Sequence, residues 1–253
     1  MRITRFETGS TVMWGSIEGG VVHSATSFTS ALKREFQAEY RLSDVTIRAP
    51  RTGGRVIGIA ENYPCPGGDG QSNEPLVFLK SEHSIIGPND EIVLSEGLDH
   101  TWGEPELGFV VGSRLQKSSL QEAREAICGF TVANDITGRD STGRDHHLAR
   151  YKSADTYCVL GPWVNTSFAP TNQLIRGYQN DTLLREGRLS QRIWDEATIL
   201  LELSRWMTFF PGDIVLTGTP PRVSGRLFLR PGDVFKCEVE GLGLLENRVA
   251  FSD

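Results

Sequence analysis

Three stretches of the chain repeat one short pattern: GPNDEIVL at 87–94, FPGDIVLTG at 210–218 and RPGDVFKCEV at 230–239. Each sets a proline, any residue and an aspartate in front of β-branched or apolar residues. Proline fixes φ at a turn and the next residue can take the tight position. Each copy therefore predicts a turn that feeds a strand. Near the N-terminus, RITRFE and GSTVMWGSIEGGVVHS add short alternating stretches divided by glycines, which predict a meander of short strands. No long βαβ alternation is visible. The chain reads as α+β and rich in strands.

Residues 1–50 read as a small β-rich N-terminal domain, and APRTGG at 49–54 as the entry to a larger domain over 51–253. SALKREFQAEY, from Ser30, predicts a polar-faced helix. SSLQEAREAICG predicts a second helix, with Ser119 and Glu122 spaced for a capping box and an end near Gly129. SQRIWDEATILLELSRWM predicts a third from about Ser190, with Ile193, Ala197, Leu200, Leu201 and Ser204 on one face. PCPGGDGQSNEP at 64–75 carries three prolines and three glycines and reads as a loop of the functional-lid or disordered kind.

The 253 residues suffice for a full core, and the net charge of -6 comes with no basic stripe, so no nucleic-acid partner is expected. No apolar run approaches ~18 residues, so no membrane span is expected. MRITRFETGS lacks the apolar stretch of a secretory leader. Cys65, Cys128, Cys158 and Cys237 are scattered and read as free thiols of a reducing cytoplasm. EGLGLLEN has two glycines and no following helix, too little for a dinucleotide site.

The chemistry-bearing segment is GEPELGFVVG. On a strand, residues i and i+2 share a face. Glu104 and Glu106 then project together, about 7 Å apart at Cα, with Leu107, Phe109 and Val111 free to pack on the other face. Two carboxylates held this close raise each other's pKa unless a cation lies between them. A solvated strand end is the plain alternative. In CGFTVANDITGRD, Asp135 stands where a strand leaves the core, and either forms a turn or supplies a third acid. Three carboxylates would suit a hard divalent cation, Mg²⁺ or Mn²⁺. Lys152 could offset excess negative charge or bind a substrate carboxylate, or be an ordinary surface lysine. Thr217 and Thr219, just past the IVL strand, could hold a small anion.

Taken in order, ENY (61–63), LVFLK (76–80), EPELGFVVG (104–112), GFTVANDITGRD (129–140), KSADTYCVLGPW (152–163), PGDIVLTGTP (211–220) and PGDVFKCEVEGLG (231–243) resemble the fumarylacetoacetate hydrolase family over residues 55–250. The resemblance implies a β-rich mixed-sheet roll behind a small N-terminal domain, assembled as a homodimer. It implies a Mg²⁺ or Mn²⁺ site on Glu104, Glu106 and Asp135, with Lys152 beside the metal. It also implies substrate contacts from Tyr63, Arg139 and Thr219, and a small oxo acid as substrate.

The chain departs from the hydrolytic members' Asn-Tyr-x-x-His-x-x-Glu. Here Asn62 and Tyr63 are followed by Pro66 at the histidine position and Asp69 at the glutamate position. Proline cannot accept a proton, so the base that activates water is missing. The expected catalytic groups are Lys152, Asp69 and Thr219. His146 and His147 could replace the base, though a surface loop pair is the simpler reading. The expected reaction is metal-dependent C–C cleavage of a β-dicarbonyl or 2-oxo acid, of the acylpyruvate or oxaloacetate type, as hydrolase or decarboxylase. The alternatives are an isomerase or tautomerase of a related oxo acid, and a non-catalytic binding protein.

Overall fold

A computed structural model describes residues 1–64, 73–225 and 227–251. At the centre of its 12-stranded mixed sheet lies the strand Pro105–Val111. It pairs antiparallel with Ile127–Asp135 on one side and Ile214–Leu216 on the other. Beyond Ile214–Leu216 come Val56–Ala60, parallel to it, and the edge strand Leu76–Lys80. Beyond Ile127–Asp135 comes Cys158–Asn165, which pairs with Arg2–Thr8 and so joins the N-terminal meander to the same sheet. Five further strands form a second sheet in the order Thr182–Arg188, Leu174–Gln179, Val234–Val239, Gly243–Phe251 and Ile92–Leu94.

The central strand is buried along its whole length because both faces are covered. Leu107, Phe109 and Val111 join the larger core, with Ile175, Phe209 and Phe235 from the second sheet and its connections. Val110 faces a smaller cluster with Val56, Ala133, Leu160 and Leu216. Each such side chain contributes about 1.5–3 kcal/mol on burial. Anything the strand carries at its start is therefore held on a rigid base. Residues 1–50 have a small cluster of their own, built on Ile3, Ala25 and Ala31.

The repeated Pro-x-Asp turns are one local device used three times. Asp90 accepts the Gly87 N–H at 2.7 Å, Asp213 that of Phe210 at 2.9 Å, and Asp233 that of Arg230 at 2.8 Å. Each aspartate closes its own turn by bonding three residues back, and strands follow at Ile92–Leu94, Ile214–Leu216 and Val234–Val239.

The helices are shorter than their patterns suggest. The first spans Phe28–Leu32 rather than starting at Ser30, since Ser27 caps it and Arg34 turns left-handed at φ 60. Glu39–Arg41 is then a strand. The second is Leu120–Glu125, with the Ser119–Glu122 capping box in place, but it stops before Gly129 because Ile127 already enters the next strand. The third is Glu196–Leu203, capped by Asp195 instead of starting near Ser190, with Ala197, Ile199, Leu200 and Leu203 buried. No helix among the described residues is long and apolar enough to cross a membrane. Cys158 and Cys237 are buried free thiols and Cys128 is half-buried. Burial pushes the Cys158 thiol up to about 12, which leaves it inert.

Candidate metal centre

The hairpin of the two central strands brings the three acids together. Its register sets Glu106 opposite Ala133 and Pro105 opposite Asn134. At the open end Asp135 N–H donates to the Glu104 carbonyl at 2.9 Å, and Glu104 N–H donates to Asn134 Oδ1 at 2.9 Å. One carboxylate oxygen from each of Glu104, Glu106 and Asp135 lies within 4.8 Å of the others. Glu106 is 2% exposed and Asp135 0%. The solvated strand end is thereby excluded.

Buried acids need compensation, and three cations from three separate elements supply it. Lys152, on the short helix Ala149–Ser153, donates to Glu104 Oε2 at 2.9 Å, to Thr137 Oγ1 at 2.6 Å and to Asp135 Oδ2. Its ammonium also lies 4.5 Å from the centre of the Phe78 ring. Lys80, with no exposed side-chain surface, donates to Asp135 Oδ1 and, at 3.2 Å, to the Ile136 carbonyl. Arg185, on the second sheet, donates to Glu104 Oε1 at 3.0 Å. Trp102 Nε1 shares that oxygen at 2.9 Å.

These neighbours set the protonation states. Burial pushes the Glu104 carboxyl up, but Lys152 and Arg185 outweigh it and hold the group at about 2. Glu106 is pushed well above the carboxylate range by burial and then by Asp135. Burial disfavours the Lys152 ammonium, but Asp135 and Glu104 more than offset this and raise its pKa.

A turn after Ile214–Leu216 closes another side of the site. Gly218, at φ 88, can turn its N–H to Glu106 Oε2 at 2.6 Å. Thr217 Oγ1 donates to the Leu107 carbonyl at 3.0 Å, so its hydroxyl is committed to the fold. Asn62 holds the turn by donating to the Thr217 carbonyl at 2.8 Å and to that of Trp194 at 3.0 Å. The hydroxyls of Thr219 and Tyr63 are buried, with no hydrogen-bond partner among the described residues. Buried polar groups are normally satisfied, so both hydroxyls keep hydrogen-bonding capacity that the described residues do not use.

Arg139 stands two residues beyond Thr137 with an exposed side chain, opposite His100 in a two-stranded ribbon, and is not among the groups that touch the triad. His146 and His147 are exposed on the surface loop. Pro66 and Asp69 lie outside the described residues. Sequence reasoning missed Lys80, Arg185 and Thr137. Lys80 had no signal in the sequence: the structure buries Phe78 and Lys80 on one face of their strand and leaves Leu79 exposed on the other. Thr137 follows Asp135 at i+2. Arg185 has no local signal.

The donor set fits a hard divalent cation. It offers only carboxylate oxygens, and around an octahedral Mg²⁺ or Mn²⁺ such oxygens lie about 3 Å apart when adjacent and about 4 Å when opposite. The spread of the three acids is compatible with that.

Residues 56–250 match the model of the fumarylacetoacetate (FAA) hydrolase C-terminal domain. The chain belongs to the fumarylacetoacetate hydrolase family. It is 34% identical over 228 residues to the human mitochondrial oxaloacetate tautomerase FAHD2A, covering 82% of this chain and 70% of that protein. The structure of a 5-carboxymethyl-2-hydroxymuconate delta-isomerase from Mycobacterium smegmatis is similar over all of both chains, with a TM-score of 0.89 and 32% identity. A maleylpyruvate hydrolase from Sphingobium sp. SYK-6, solved with manganese(II) and pyruvate, shares the fold at a TM-score of 0.80 and 23% identity. The proteins similar to this chain at 30% identity or more thus include a tautomerase and an isomerase.

Proposed function

We propose that the chain is a divalent-metal-dependent enzyme that interconverts the keto and enol forms of a 2-oxo dicarboxylate such as oxaloacetate. The observation that carries this is the charge balance at the triad. Glu104, Glu106 and Asp135 are equalled in number by Lys80, Lys152 and Arg185, which pair with Glu104 and Asp135, while Glu106 is bonded by the Gly218 N–H. With all three acids ionised around Mg²⁺ or Mn²⁺, the site keeps two positive charges, which complements a dianion.

Glu104, Glu106 and Asp135 would hold the ion, which when bound supplies a Lewis acid for the substrate's oxygens. Lys152 keeps its proton because Asp135 and Glu104 favour the ammonium, and it adds a fixed positive charge beside them. Tyr63 keeps its proton too, since burial pushes its pKa up, so its hydroxyl donates to a substrate oxygen. Thr219 supplies a second hydroxyl. Tautomerisation moves one proton from carbon to oxygen and adds no water. Asp69 is the group proposed to accept the carbon-bound proton. The missing histidine at Pro66 is no obstacle to this reaction, and the likeness to a tautomerase and an isomerase supports it.

The second reading is cleavage of a C–C bond. Decarboxylation of a β-keto acid also needs charge stabilisation without activated water, so the same site favours it over hydrolysis. The test is to mix the Mn²⁺-loaded protein with oxaloacetate, follow the enol by its ultraviolet absorbance, and determine product masses. Faster equilibration at unchanged mass supports the proposal, provided Glu106→Ala abolishes it. Release of carbon dioxide selects the second reading. Failure to accelerate either process refutes both.

A further inference from the structure

We propose that Arg185 is a positioning residue that locks the Thr219 turn to Glu104, so that the substrate hydroxyl and a metal-ligating carboxylate keep a fixed separation. The roles of Thr219 and Glu104 rest on the function proposed above. The geometric lock stands on the fold itself.

The Arg185 guanidinium is used on two sides. One nitrogen, Nη2, donates to Glu104 Oε1 at 3.0 Å, and the other, Nη1, donates to the Pro220 carbonyl at 2.6 Å. Its side chain is only 9% exposed, so neither bond competes freely with water. One planar fork therefore spans the residue after Thr219 and the first acid of the triad. The backbone joins the same two pieces. Val223 N–H donates to the Leu184 carbonyl at 2.9 Å, and Arg185 and Arg222 form an antiparallel bridge. The contact at Gly187 is close as well. A Cβ there would meet Pro220 Cβ at 2.6 Å and Tyr63 Cε1 at 3.4 Å. The strand Thr182–Arg188 thus packs against the Tyr63 ring and against Pro220, the residue after Thr219.

If Arg185 served only to balance the charge of Glu104, lysine would replace it. A lysine is a point charge and cannot reproduce two divergent hydrogen bonds from one rigid plane. Arg185→Lys keeps the charge and breaks the lock. Gly187→Ala keeps Arg185 and pushes Pro220 off the strand, so it perturbs the same separation by another route.

The experiment uses the full chain loaded with Mn²⁺, with oxaloacetate as the probe. For both variants, KM rises about tenfold or more while kcat changes less, and Mn²⁺ affinity stays within about threefold of the wild type. Amide exchange at Gly218 and Val223 speeds up about tenfold, while the Pro105–Val111 and Ile127–Asp135 strands keep their protection. Unchanged KM and exchange in Arg185→Lys overturn the proposal. So does loss of Mn²⁺ affinity in step with KM, which would make Arg185 a support of Glu104 alone. A wild type inert towards oxaloacetate defeats the functional reading. The exchange comparison still decides the lock: acceleration confined to 218–223 upholds it, and no acceleration sinks it. If Arg185→Lys does not fold, the same readings on Gly187→Ala decide.

Discussion

Replacing Lys80 with methionine isolates one charge at the triad. Methionine is unbranched and apolar and fills irregular buried space well, so the volume is nearly kept while the ammonium is lost. Lys80 has no exposed side-chain surface, and neither does its partner Asp135. Removing one member of a buried pair costs about 3–5 kcal/mol, because the other charge stays buried with less compensation, here with Lys152 as the one cation left on Asp135. For a domain of this size each kcal/mol moves Tm by about 2–4 °C, so Lys80→Met should melt about 6–20 °C lower without added metal. Added Mn²⁺ at about 100 times its Kd stabilises the wild type by about 2.7 kcal/mol. In Lys80→Met a cation that repels the ion is gone and Asp135 has one partner fewer. Mn²⁺ should bind at least about tenfold tighter, which is about 1.4 kcal/mol more stabilisation at equal concentration. The assay is thermal melting of both proteins across a Mn²⁺ titration. The reasoning fails if the variant melts with the wild type in the absence of metal. It also fails if Mn²⁺ stabilises the variant less than the wild type, because Asp135 would then need Lys80 to ligate.

Glu104 has a folded-state pKa of about 2, below its unfolded value, so its contribution is complete above the ordinary carboxylate pKa of about 4.3 and is lost as pH falls towards 2. Urea unfolding between pH 6 and 2 should show Glu104→Gln losing less stability across that interval than the wild type. Glu106 is shifted the other way, and its proton must leave before it can ligate, so Mn²⁺ affinity should rise with pH above about 4.3. Calorimetric titration at several pH values checks this, and Glu106→Gln should flatten the dependence. Gly54→Ala places a Cβ 2.2 Å from the Gly212 backbone, where no side chain can move aside. It should cost about 3 kcal/mol, at the upper end for overpacking, as measured by urea unfolding.

The parts of the molecule that are local in sequence were legible there. Glu104 and Glu106 share a face because strand geometry demands it, and the Pro-x-Asp turns each close within four residues. Ser119 caps its helix through a neighbour three residues on. The helix lengths were misjudged where a single backbone event decides: the left-handed Arg34, and Asp195 capping ahead of Glu196. The cationic half of the site was largely hidden. Lys80 lies 55 residues from Asp135, and Arg185 lies 81 residues from Glu104. Only strand order and the packing of the second sheet bring them together. A single lysine at the end of LVFLK says little until the inward direction of Phe78 is known.

The central claim is that Glu104, Glu106 and Asp135 converge on one divalent ion. A crystal grown with Mn²⁺ and measured for anomalous scattering tests it most directly. The account predicts one strong peak about 2.0–2.3 Å from an oxygen of each of these three residues. A fully loaded crystal whose manganese lies elsewhere, with Glu104 and Asp135 still paired to Lys80, Lys152 and Arg185 and Glu106 still bonded to the Gly218 N–H, would contradict it.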